Sequence, residues 1–210
     1  LSDPQDSDWH RLRGLQYSSL AQNTLARMLA HGVGAIATAG LFLGKVHLAL
    51  IVLWLAALAA LLHHAARRDK LLVDADRRRI GRDEVNSQNM IAIGIALAWV
   101  LPIGASSFVP DTMLDLEIWT IVSLLMTVSA IVLPAVPLGT LMFTGIVGGA
   151  SIVNFAFNGH YDLALIVLIY CATVSAGAVR AARNYLIGKA AESAMVEKSQ
   201  VGSLLLREFE

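Results

Sequence analysis

Apolar residues in this chain arrive in long blocks rather than at the three-and-four spacing of a helix that lies on a soluble core. A helix needs roughly 20 such residues to cross the hydrocarbon core of a bilayer. Six stretches come close to that length, over residues 23–43, 46–64, 89–108, 116–133, 135–155 and 162–179. The apolar run from 116 to 155 is too long for one crossing. Pro134 and Pro137 fall at its middle, where they favour a tight turn between two antiparallel helices. Residues 1–20 are polar, with Leu12, Leu15 and Leu20 spaced to form one apolar stripe, which predicts an interfacial helix. The pattern therefore predicts an all-α, polytopic membrane helical bundle of about six transmembrane helices over 21–180. An N-terminal segment (1–20) precedes it and a linker helix (181–210) follows.

Basic residues orient the bundle. Arg11, Arg13 and Arg27 flank the first span; Arg67, Arg68, Lys70, Arg77, Arg78, Arg79 and Arg82 separate the second from the third. Arg180, Arg183, Lys189, Lys198 and Arg207 follow the last, and only Lys45 falls on the other side. That side carries Asp111, Asp115, Glu117 and Asp162 instead. Lys and Arg concentrate in cytoplasmic loops, so both termini are expected in the cytoplasm. An odd number of spans would split the basic segments between the two sides. Composition agrees: 56% of residues are hydrophobic and 15% charged, too few charges to cover a soluble domain of this length. The single cysteine, Cys171, excludes a disulfide framework or a thiolate cluster. The chain begins at Leu1 and stops within a helix-like pattern, which reads as part of a longer protein.

Small residues recur four apart at Ala30, Gly34 and Thr38, at Gly40 and Gly44, at Gly94 and Ala98, at Gly145 and Gly149, and at Ala172 and Ala176. In lipid, small residues let helix backbones approach, so these positions predict helix–helix seams. The default is packing within one bundle; the alternative is a homodimer contact on the fifth span. Pro102 is expected to kink the third span, with Trp99 and Trp119 as interface anchors.

The spans contain no HExxH, GxSxG or phosphate-binding loop, no paired carboxylates and no lysine, so no catalytic residue is nominated. Histidines are the candidates for a bound group. His31 lies within the first span and His63 and His64 end the second, so these three are candidate haem ligands. Against that, His31 lies about 12 residues from the outer loop and His63 about 18, a height difference of roughly 9 Å at 1.5 Å per residue. The plainer expectation is that His31 hydrogen-bonds a neighbouring helix while His63 and His64 sit at the headgroups. On the acidic side, His47, His160 and Asp162 could hold a metal ion or be solvated loop residues. Asn154 requires a partner, expected on another helix.

After the sixth span no proline interrupts the chain to residue 210, which predicts a continuing helix. Ile187, Ala191, Ala194, Val201 and Leu205 form an imperfect heptad seam, consistent with a homodimeric coiled coil. Residues 197–210, EKSQVGSLLLREFE, resemble the junction in bacterial cyclic-di-GMP signalling proteins, where a multi-span membrane sensor region leads into PAS, GGDEF and EAL domains. The resemblance implies a sensory domain in the bacterial inner membrane that relays a membrane or periplasmic signal to a cytoplasmic output module in cis. No GGDEF or EAL motif is present, so no cyclase or phosphodiesterase residue carries over, and this chain is not expected to be an enzyme. Membrane lipids and a second copy are the expected partners, and nucleic acid is not. The rival readings are a haem-binding electron carrier or sensor and a small transporter or channel. The last would ordinarily show intramembrane charge or broken helices in matching halves.

Overall fold

The computed structural model describes residues 9–75, 80–109, 111–133 and 136–208. Among these, α1 (Trp9–Gln22) is followed by α2 (Thr24–Phe42), α3 (Leu48–Lys70), α4 (Arg82–Ser106), α5 (Thr112–Val132), α6 (Pro137–Phe157) and α7 (Tyr161–Glu208). The six helices from α2 onward are long and apolar enough to cross a membrane, as the block pattern predicts.

Local chemistry marks four of the helix ends. Gly44 and Gly159 take positive φ, +78° and +82°, at the turns after α2 and α6. At Gly159 the motif is complete: its N–H donates to Ala156 and the His160 N–H to Phe155. Asp111 caps α5, its carboxylate accepting from the Met113 amide at 3.1 Å. Pro137 opens α6, where a missing N–H costs nothing and a fixed φ suits the helix.

In the bundle, α2 packs on α3 and α5; α4 on α3, α5 and α6; and α7 on α5 and α6. The spans thus close in the order α2, α3, α4, α6, α7, α5. At the centre lie Trp99, Leu114, Ile118, Val122, Met126 and Val147, all essentially inaccessible. Outward faces are apolar too: Leu25, Leu29, Val33 and Ile36 of α2 form an exposed stripe at four-, four- and three-residue steps. A helix apolar on both faces belongs in lipid, where close packing and interhelical hydrogen bonds replace the hydrophobic effect as the source of association.

Two expectations change. Leu20 does not lie on the membrane surface; with Tyr17 it is buried against Leu72, Ala75 and Ile80, so α1 packs on the segment after α3. Of Leu12 and Leu15 only the helical backbone is described. Trp99 is not an interface anchor, because it sits in the core and meets Trp54 edge-on with ring centroids 5.5 Å apart.

The small-residue seams divide. A Cβ on Gly34 would meet Trp99, Leu125 and Ile121 at 3.2 to 3.4 Å, and one on Gly94 would meet Leu61 at 3.3 Å. These glycines serve close helix packing. Gly40, Gly145 and Gly149 face open space and Ala172 and Ala176 are exposed, while Gly148 instead packs on Cys171 of α7.

Candidate functional site

The inward stripe of α3 runs Ile51, Trp54, Leu58, Leu62, Ala65, Asp69, in steps of three and four. Its last member is a carboxylate. Asp69 is 1% exposed and meets Arg27 of α2 at 2.5 Å. It also accepts from Thr24 Oγ1 at 2.6 Å and from the Gln88 amide of α4 at 3.4 Å. One buried carboxylate therefore ties together the ends of three helices on the basic side of the bundle. Its partners matter, since an unpaired charge removed from water is strongly destabilising.

One turn deeper on α2, His31 is buried with the Trp99 indole donating to its Nδ1 at 3.0 Å. The Phe143 ring of α6 meets the imidazole edge-on, centroids 5.6 Å apart. An indole nitrogen only donates, so Nδ1 is the bare nitrogen and the hydrogen of the neutral ring sits on Nε2. This is the interhelical hydrogen bond the sequence leads one to expect of His31.

At the opposite, acidic end Asp115 is buried in the first turn of α5. It accepts from Asn154 at 3.1 Å and from Asn158 at 3.2 Å, and Ser107 donates to the Asn154 carbonyl oxygen. Asn154 thus finds its expected partner on another helix. Lys45 and Asp111 form an exposed ion pair at 2.8 Å. The Lys45 hydrogen bond holds the Asp111 carboxyl below the usual carboxylate range.

The candidate haem ligands are not brought together. His63 and His64 are exposed between the inward positions Leu62 and Ala65, whereas His31 is enclosed and its Nδ1 is committed to Trp99. The cavity beside His31, about 50 Å³, could not enclose a macrocycle. On the acidic side His47 and Asp162 are exposed and His160 lies 3.5 Å from Thr112. Among the described residues, no three His, Cys, Asp or Glu side chains converge as a metal site.

In the sequence, Arg27 and Asp115 stand out only as charges that mark the two sides of the bundle, and Asp69 is one acidic residue in a basic loop. All three proved to be interhelical contacts. The signal for Asp69 was available, because it continues the three-and-four stripe of α3 past His64, the expected helix end.

No family model matches the chain, nor does any curated protein or solved structure.

Proposed function

We propose that this chain is a transmembrane sensory domain whose last helix relays a change in the bundle to an output module on the cytoplasmic side. The observation that carries this reading is α7, one uninterrupted helix of 48 residues. At about 1.5 Å per residue it is roughly 70 Å long, against about 30 Å for a hydrocarbon core. It therefore extends far past the bundle. It is also the least enclosed span, packed on α5 and α6 at one side only. A helix held on one side can shift or rotate against its neighbours at smaller cost than one packed all round. Such a shift transmits only if a ligand or membrane state favours one arrangement over the other.

The distribution of Lys and Arg supports cytoplasmic termini, and the likeness of residues 197–210 to linkers of cyclic-di-GMP signalling proteins supports such an output module and a bacterial inner membrane. Homodimerisation through α7 belongs to the same reading. Of its seam, Ile187 and Ala191 are exposed, while the side chains of Ala194, Val201 and Leu205 lie outside the described residues.

Reporter fusions test the orientation. Fusions after residue 208 and within 70–82 are expected to report the cytoplasm, and fusions near Lys45, Asp111 or His160 the opposite compartment. A reporter after 208 that appears outside the cytoplasm would contradict the relay. Relay itself is tested by helical phase, through deletions of one and of seven residues near Ala194.

A further inference from the structure

At the basic end of the bundle, residues of α2, α4, α5 and α6 line a partly open cavity of about 50 Å³ whose polar lining includes Arg27, His31, Gln88, Asn89 and Thr140. Three kinds of hydrogen-bond donor belong to residues that line it. The first is His31, 4% exposed, whose Nδ1 is occupied by Trp99, so that its Nε2–H remains without an acceptor among the described residues. The second is Arg27: one terminal nitrogen is spent on Asp69, but Nε is buried with no acceptor. The third is the first turn of α6, where Gly139 and Thr140 line the cavity and Val136 supplies no side-chain cap, leaving backbone N–H groups at the positive end of a helix dipole.

We propose that this cavity binds a carboxylate. Acceptor oxygens are what all three donors lack. Asp69 balances the Arg27 charge, so what remains suits a single negative charge better than a phosphate dianion. A water needs about 10–15 Å³ of such space, so the cavity takes a few heavy atoms: a carboxylate and the start of an apolar tail. Ile91, Ile95 and Phe143 provide the wall for that tail. The carboxylate can come from a short free acid or from a fatty acid in the bilayer. Binding goes beyond the relay reading and is measured without any output domain, so either can fail while the other survives.

The test uses the whole chain in nanodiscs, with propionate added to the aqueous phase in one arm and palmitate incorporated in the lipid in the other. Binding is followed by tryptophan fluorescence, since Trp99 contacts the imidazole, and by calorimetry. Saturable binding is expected in at least one arm, identifying the source, with propionamide and inorganic phosphate much weaker. Arg27→Lys keeps a cation for Asp69 but loses Nε–H, and should weaken binding about tenfold or more. His31→Phe should do the same; if that variant loses its native melting transition, Arg27→Lys decides alone. No binding in either arm, equal binding of propionamide, preference for phosphate, or unchanged affinity in Arg27→Lys would each overturn the proposal.

Discussion

The Trp54 indole on α3 donates to the backbone carbonyl of Ala98 on α4 at 2.7 Å. That carbonyl is free because Pro102, four residues on, has no N–H to offer it. Proline in a membrane helix leaves an acceptor that lipid cannot satisfy, and here a neighbouring side chain does so. Trp54→Phe should cost about 1–3 kcal/mol by orphaning the carbonyl, in addition to any packing loss. In Pro102→Ala the helix regains its own donor. The loss on Trp54→Phe should then be smaller in the Pro102→Ala background, a non-additivity read from a double-mutant cycle of thermal unfolding in detergent.

Arg27 and Asp69 should show the asymmetry of a buried pair. Asp69→Leu alone leaves a guanidinium without its partner and is expected to cost about 3–5 kcal/mol. The double replacement Arg27→Met with Asp69→Leu removes both charges and should recover most of that loss. If Asp69→Leu leaves the unfolding transition unchanged, the pair does not join α2 to α3 in the folded protein.

The two faces of α6 should respond unequally to bulk. Gly148 packs on Cys171 of α7, so Gly148→Leu is expected to destabilise by about 1–3 kcal/mol through overpacking. Gly145 faces open space, so Gly145→Leu should stay within about 0.5 kcal/mol. A comparable loss at Gly145 would mean that a second copy packs on that face.

Span number and rough limits were legible because a bilayer demands long apolar blocks, and nothing else in a chain of this size needs them. The break between the fourth and fifth spans was legible because proline supplies no N–H and fixes φ: α5 ends at Val132 and α6 starts at Pro137, while Pro134 lies outside the described residues. Which polar residues face inward was harder to read. Within an all-apolar block the inner and outer faces look alike, so Trp99 could be taken for an interface anchor and Gly145 for a seam within the bundle. Asp69 and Arg27 were hidden among other charges at the membrane border, where a solvated residue and a buried ion pair have the same local composition. Only helical phase separates them, as the α3 stripe shows. The donors beside the cavity at His31 come from α2 and from the start of α6, and no spacing along either helix reveals that they meet.

The exposed pair at the acidic end should matter little, but its pH dependence has a definite sign. Lys45 lowers the Asp111 pKa from its ordinary 3.8, so the folded state gains from this group above that value. The gain is lost as pH falls through the lowered folded value. Lys45→Met should therefore leave the melting temperature almost unchanged at neutral pH and abolish only a small acid-side slope. A large loss at neutral pH would show that the pair is shielded from solvent.

The relay is tested most directly by the phase of α7. A full-length protein carrying an output domain after this helix is compared with variants lacking one or seven residues around Ala194. Removing one residue turns everything downstream by about 100°, whereas removing seven nearly restores the original facing. A relay through α7 requires that the one-residue deletion lock or abolish regulated output and that the seven-residue deletion largely preserve it. Unchanged activity and regulation in both would contradict it, leaving α7 as a passive tether and the bundle as an anchor.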